Sequence, residues 1–480
     1  MPEIFIDGHP VQAESGQMVL QVALANGFYI PYFCWHPALS IAGNCRICSV
    51  QVEGRSWAEM SCNLPVAEGM RILTDSDAVR EQRKATMQFI TLNHPVDCGI
   101  CDKAGECKLQ DYHVAYNGTP SISIDPKVTS TKFHALSERI LLDNERCILC
   151  TRCVRFTREI SKSNALGVKK RGDESLLRAA ENHPLDDDPY SDNIIDICPV
   201  GALLSRSFLY KARVWYLKPT QSVCPGCARG CAVDIWHRKP EWHLRALDPK
   251  QNTSIARVTP HGVPGPDGPW ICNKGRDLAK IFERPRAEQA MRRGHPVDLD
   301  AAIDVARRLI GEAKRPVALV SSWGSNEELA AFRQALGDRF KVFVKRDHVP
   351  EPGEPVEDDF LIRADKNPNT AGARALFGAD SDREPAFPED TDLVLVWGEG
   401  CNFASLPPRA RIVFVNAYLQ PENGHADVFL PVSIQTERAG HYTNFDGTLG
   451  AFTPCFAKKP TVADAATLFP ALVPSLVASP

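Results

Sequence analysis

Cys147-Ile148-Leu149-Cys150-Thr151-Arg152-Cys153 and, further on, Asp196-Ile197-Cys198-Pro199-Val200-Gly201-Ala202 are the stretches on which the reading of this chain turns. Three thiols at two-residue gaps can wrap the corner of a [4Fe–4S] cubane, whereas structural zinc usually takes its ligands as two plus two. In the bacterial run that holds two such clusters, a fourth Cys followed by Pro comes soon after the third and serves the other cluster. Here that place is Thr157, and the Cys-Pro pair stands at Cys198-Pro199. Counting back from Cys198 at the same spacing gives Asp188, Ser191 and Ile194 where three more cysteines would stand. One cluster of a pair has been erased. Cys147, Cys150, Cys153 and Cys198 remain as the ligands of a single [4Fe–4S] site.

Outward from this site the cysteines keep falling into groups. The chain has 17, of which 15 precede position 273. The first residues, Met1-Pro2-Glu3-Ile4-Phe5-Ile6-Asp7, lack the basic and then apolar pattern of a signal peptide. A cytosolic chain keeps its thiols reduced, so close spacing points to metal thiolates and away from disulfides. Cys34, Cys45, Cys48 and Cys62 form a first group, suited to a [2Fe–2S] centre, with Gly43 in a loop whose N–H groups can face cluster sulfurs. His94-x3-Cys98-x2-Cys101-x5-Cys107 forms a second. A neutral imidazole in place of one thiolate removes a negative charge and raises a cluster's potential. Cys224, Cys227 and Cys231 form a fourth, closed by Cys272 about forty residues on. Zinc competes for the first, second and fourth groups, since it accepts four thiolates or three thiolates with one imidazole. Fifteen cysteines and one histidine make four sets of four, leaving Cys401 and Cys455 as buried free thiols.

The rest of the chain sets the frame. A length of 480 residues predicts two to four domains. The net charge of −4 and the mixing of acids with bases exclude a polyanion-binding design. No apolar run approaches the roughly 20 residues that span a bilayer, so a soluble chain is expected. Residues 1–78 read as a β-rich domain: Ile4–Ile6 and Val11–Ala13 flank an Asp7-Gly8 turn, Val19–Ala23 is helical with Gly27 as its stop, and Val50 and Val52 lie on a strand. Asp77 to Leu92 is an amphipathic helix ending at His94-Pro95. Further boundaries are expected at 79–118, 119–217 and 218–276, with an exposed Pro/Gly loop from Val258 to Pro269. From 277 to 480 the character changes. Pro316–Val320, Asp392–Gly398 and Arg411–Val415 are buried-strand runs, and a helical stretch follows Gly324 through Leu336, which implies a parallel α/β layer.

Ser40-Ile41-Ala42-Gly43-Asn44-Cys45-Arg46-Ile47-Cys48, the His94/Cys98/Cys101/Cys107 signature and Asp196–Ala202 together resemble the large iron–sulfur subunit of respiratory complex I, over residues 1–276. The resemblance implies a multidomain α+β and α/β chain with a β-grasp [2Fe–2S] ferredoxin-like domain followed by [4Fe–4S] ferredoxin-like domains. It implies one [2Fe–2S] cluster, a His-ligated [4Fe–4S], an all-Cys [4Fe–4S] and an off-path third [4Fe–4S] on the last set. The partners it implies are the NADH/FMN-binding subunit and downstream iron–sulfur subunits, on the cytoplasmic face of the bacterial inner membrane. Ala426–Val432, Glu437–Gly440 and Asn444–Gly447 are similar to a stretch of molybdopterin oxidoreductases, which implies a reduced, structural version of that α/β domain.

No Gly-x-Gly-x-x-Gly fingerprint is present, so hydride chemistry falls to a partner and this chain carries single electrons towards quinone. The same wires would also serve the diaphorase part of an NAD-linked hydrogenase or formate dehydrogenase. A zinc-scaffolded interaction protein and an active molybdenum enzyme are the remaining classes.

Overall fold

The computed structural model describes residues 1–244, 249–262, 269–378 and 385–473. The chain divides into two compact units, Met1–Tyr216 and Leu217–Pro480.

The first unit opens with the expected hairpin, β1 (Glu3–Ile6) and β2 (His9–Gln12). Asp7 and Gly8 both have positive φ (48° and 82°), the tight turn whose twist matches the strands. Helix α1 (Val19–Ala25) follows, then β3 (Ser49–Val52), β4 (Ala58–Met60) and β5 (Arg71–Leu73). They complete a five-stranded sheet in the order β2-β1-β5-β3-β4, parallel where β1 meets β5. Ile4, Ile6, Leu20, Val50 and Ile72 form its core together with Cys48 and Cys62, so two candidate ligands belong to the packing itself. Helix α2 (Asp77–Leu92) is capped by Ser76, whose hydroxyl accepts from the Val79 N–H at 3.3 Å. It stops just before His94-Pro95, because a proline disfavours helical backbone in the residue ahead of it.

Helix α3 (Lys108–Tyr112) starts directly after Cys107. Beyond it, β6 (His134–Ala135) and β7 (Ile140–Leu142) precede α4 (Arg152–Glu159), the hairpin of β8 (Leu166–Lys169) and β9 (Leu176–Ala179), α5 (Asn193–Ile197) and β10 (Leu203–Ser205). β10, β7 and β6 pair as a small antiparallel sheet.

The second unit begins with an antiparallel sheet of β11 (Leu217–Val223), β12 (Ala232–Arg238) and, after α6 (Pro249–Asn252), β13 (Ile255–Pro260). This corrects the loop expected from Val258: its first residues are strand, with Val258 buried, and 263–268 lie outside the described residues. Pro and Gly density misled because strand pairing with β12 overrides local composition.

Next come α7 (Asn273–Arg276), α8 (Leu278–Phe282), the hairpin β14 (Met291–Arg292) and β15 (His295–Pro296), and α9 (Leu299–Glu312). Then β16 (Pro316–Ser321), α10 (Asn326–Leu336), β17 (Lys341–Lys345), α11 (Thr370–Phe377), β18 (Leu393–Trp397), β19 (Arg411–Asn416), α12 (Glu422–His425) and β20 (Val428–Pro431) build the α/β layer. β21 (Gly440–Thr443), β22 (Leu449–Phe452) and α13 (Ala465–Leu472) close it.

The sheet order is β15-β14-β20-β19-β18-β16-β17, with β16 to β20 mutually parallel and an antiparallel hairpin at one edge. Leu393, Leu395 and Trp397 pack on the face covered by α9, α10 and α13, and Val394 and Val396 on the other. Burial on both faces is why these strands read as continuous apolar runs. Cys401 and Cys455, expected buried, are half-buried at the margins of these cores. Among the described residues no helix is long and apolar enough to cross a membrane.

Candidate metal centres

The first set sits at one end of the five-stranded sheet. The backbone folds back at Gly43 (φ 62°) and Arg46 (φ 58°), so the N–H groups of Asn44 and Cys45 turn onto the Cys34 sulfur. The Cys34 N–H in turn donates to the Cys45 sulfur at 3.4 Å. Cys34 and Cys45 share a hydrogen bond, and so do Cys48 and Cys62. In each pair that bond holds one thiol below its ordinary range and pushes the other above it. All four candidates are therefore together.

The second set lines one cavity of about 320 Å³, with His94, Cys98, Cys101 and Cys107 all on its wall. Burial, with Arg146 and Lys127 nearby, lowers the His94 pKa to about 4, so the ring is a neutral donor. Its Nδ1 is buried with no hydrogen-bond partner. Burial raises Cys101 and pushes Cys107 up to about 11. A Cβ on Gly201 would stand 2.1 Å from the Cys101 sulfur, so the loop after Cys198 reaches the second centre only as glycine.

The third set also closes on one cavity, lined by Cys147, Cys150, Cys153 and Cys198. Leu149 (φ 51°) and Thr151 (φ 60°) take left-handed backbone, an unfavourable conformation for L-residues, on either side of Cys150. Burial pushes Cys147 up to about 12 and Cys150 up to about 11. Where the erased cluster's ligands would stand, Thr157, Ile194, Ser191 and Asp188 are all buried. Asp188 Oδ2 accepts from the Ser161 and Ser163 hydroxyls at 2.6 and 2.7 Å. A polar network has taken that place.

In the second unit Cys224, Cys227 and Cys272 come together. A Cβ on Gly275 would lie 3.4 Å from the Cys224 sulfur and 3.9 Å from that of Cys272. Burial, and then Cys272 and Cys227 beside it, hold the Cys224 thiol high. Cys231 joins through the backbone, its carbonyl accepting from the Cys224 N–H at 2.8 Å. Among the described residues no three His, Cys, Asp or Glu side chains close on a point that would chelate a single ion. The sets surround space, and the donors, mostly buried thiols and one imidazole with a buried Nδ1, suit a cofactor whose cations let thiols ionise.

Sequence reasoning passed over the arginines that tie these loops together. Arg155 Nη2 donates to the Cys34 carbonyl at 2.5 Å and the Cys150 carbonyl at 3.3 Å. Arg152 donates to the carbonyls of Trp35 and Ile197 at 2.5 and 3.0 Å, each next to a candidate ligand. Asn44 Nδ2 donates to the Leu149 carbonyl at 3.0 Å, and the Lys108 N–H to that of Pro199 at 3.2 Å. Their one signal in sequence was position, within or beside a Cys motif.

Three family models match the first unit: a 2Fe-2S iron-sulfur cluster binding domain (residues 2–77), the NADH-ubiquinone oxidoreductase-G iron-sulfur binding region (83–120) and the ferredoxin-like domain of NADH-quinone oxidoreductase subunit 3 (137–204). The mitochondrial NADH dehydrogenase [ubiquinone] iron-sulfur protein 1 of Solanum tuberosum is 39% identical over 61% of this chain and 38% of its own. The second G-type subunit of NADH-quinone oxidoreductase in Rhizobium meliloti is 34% identical over 70% of this chain and 39% of its own. The G-type subunit of Rickettsia bellii is 32% identical over 74% of this chain and 49% of its own. The chain thus spans about two fifths to one half of the length of these curated relatives. Among solved structures, a chain of an NAD+-reducing [NiFe]-hydrogenase in the H2-reduced state is 31% identical, covers 44% of this chain and 91% of its own, and has a TM-score of 0.41. Over the regions that these [2Fe–2S] and [4Fe–4S] domain models match, the chain is similar to the G-type subunit of NADH-quinone oxidoreductase and to the mitochondrial iron–sulfur protein 1.

Proposed function

We propose that this chain is an electron relay of an NADH:quinone oxidoreductase of the complex I kind. In this reading it carries electrons from a partner's NADH/flavin site towards quinone, as a peripheral subunit on the cytoplasmic face of the inner membrane. Cys34, Cys45, Cys48 and Cys62 would hold a [2Fe–2S] cluster. His94 with Cys98, Cys101 and Cys107, and Cys147, Cys150 and Cys153 with Cys198, would each hold a [4Fe–4S]. Cys224, Cys227, Cys231 and Cys272 would hold a third [4Fe–4S]. When bound, such clusters supply one-electron transfer without proton chemistry of the protein's own.

The observation that carries the reading is the set of ties among the ligand loops of the first unit. One guanidinium, Arg155, holds carbonyls of ligand residues from both the first and the third set. Independent zinc staples would need no such bond. A relay needs its centres held at set separations in a shell with little water. His94 stays neutral at physiological pH, which makes the second centre's ligand charge one unit less negative than four thiolates would.

Residues 277–480 read as a reduced molybdopterin-oxidoreductase-like domain with a structural role. The cavity at the C-terminal ends of its parallel strands is only about 70 Å³, against roughly 300–1,000 Å³ for a small-molecule site. Lys345, Asp347 and Glu399 meet there: Lys345 Nζ donates to Asp347 at 2.8 Å and also to the Glu399 carbonyl.

Iron and acid-labile sulfide, counted per chain after anaerobic purification, test the reading. About 14 iron atoms are expected, two from one [2Fe–2S] and four from each of three [4Fe–4S], with separable EPR signals in a redox titration. Stoichiometric zinc without sulfide overturns it.

A further inference from the structure

Arg146 immediately precedes Cys147 of the third set, yet its side chain lines the second set's cavity, with His94, Cys101 and Gly201. It is 1% exposed, among the largest fully buried side chains of the chain. Part of its fork is occupied. Nη2 donates to Asp97 Oδ2 at 3.0 Å, and Nε stands 3.2 Å from Asp143 Oδ2. Nη1 is buried with no partner at all. A buried cationic N–H without an acceptor is costly, so a position that keeps one calls for an acceptor that binds there.

The candidate acceptor is close. The point where a Gly201 Cβ would lie is 2.1 Å from the Cys101 sulfur and 3.6 Å from Arg146 Cδ, so thiol and arginine stem meet at one wall. Lys132 reaches the same two carboxylates, at 2.5 Å from Asp97 and 4.0 Å from Asp143, and also Glu145 at 2.9 Å.

We propose that Arg146 is a redox-positioning residue of the second centre: its free Nη1 donates to a sulfur of the group held by His94, Cys98, Cys101 and Cys107, and its charge raises that centre's potential. The inference rests on the relay reading. Reduction adds one electron and breaks no bond, and the guanidinium keeps its proton throughout. A fixed cation in a buried shell favours the more negative, reduced state, and hydrogen bonds to the sulfurs act in the same direction. The side chain lines the second set's cavity although the backbone belongs to the third, so the second centre is the one expected to shift.

The test uses the full chain as wild type, Arg146→Lys and Arg146→Met, poised with dithionite and followed by EPR. The second centre is identified as the signal that moves in His94→Cys. Arg146→Met is expected to disfavour reduction of that centre by about tenfold, about 59 mV for one electron, and to move the first centre far less. Arg146→Lys keeps the charge and lacks Nη1. It is expected to shift less and to lose an exchangeable-proton coupling in pulsed EPR after transfer to D2O. An unchanged midpoint in Arg146→Met at full iron content overturns the proposal, as does an equal shift of the first centre. If Arg146→Met fails to hold iron, Arg146→Lys decides, and an unchanged midpoint with an unchanged coupling overturns it. Zinc without sulfide in the wild type overturns the relay reading, and this inference with it.

Discussion

Gly201 leaves no room for a side chain, because a Cβ there would overlap the Cys101 sulfur at 2.1 Å. Both atoms belong to ligand-bearing loops, so neither can yield without disturbing a centre. Gly201→Ala is therefore expected to cost the second centre: iron should fall by about four atoms per chain while the [2Fe–2S] signal persists. An unchanged iron count would argue against the second set as ligands. His94→Cys should keep its cluster, with a thiolate adding one negative charge. A midpoint lower than wild type is the expected result of the titration, and an equal one would remove His94 from the ligand set. At this scale the sequence was most readable. Ligand spacing is local chemistry, and the residues of the second and of the third set each line one cavity. The arginines were not readable, since nothing local shows that Arg146, Arg152 and Arg155 turn inward.

At the scale of elements, sheet strands and helix ends carry the stability of the second unit. Leu395 at the middle of β18 is 1% exposed, and Leu395→Ala should destabilise the unit by about 3 kcal/mol, seen as a lower denaturant midpoint. Glu399 follows the same strand. Burial raises its carboxyl pKa, but His348 at 3.2 Å and Arg284 at 3.0 Å outweigh that and leave it below the ordinary carboxylate range. A depressed folded pKa contributes stability that is present above the unfolded value and lost as pH falls through the folded one. Wild type should thus lose stability between about pH 5 and about pH 3, and Glu399→Gln should lose less over that window. Denaturation midpoints at the two pH values measure the difference. Strands β16, β18 and β19 and helices α2 and α10 were readable in sequence, where apolar runs or helical periodicity marked them. β13 was not, because its strand character comes from pairing with β12.

At the scale of the whole molecule, the two units draw on different sources of stability. The second has a large contiguous apolar core on one face of its sheet and another on the opposite face. The first holds three of the four candidate sets, and Cys48 and Cys62 stand inside its core. Ligand binding to the native state adds directly to its stability. Anaerobic chelation of iron is expected to lower the calorimetric transition of the first unit far more than that of the second; equal shifts would contradict this division. The sequence by itself determined the chemistry: which thiols and which histidine group together, and which family the motifs resemble. Spacing along the chain is enough for that, because each set draws most of its ligands from one short segment. Only the tertiary structure decided how the sets are joined. Arg155 bridging Cys34 and Cys150, Gly201 against Cys101 and Arg146 at a neighbouring set's cavity all join residues distant in sequence. Such contacts depend on which faces meet when the chain packs, and no local pattern carries that information.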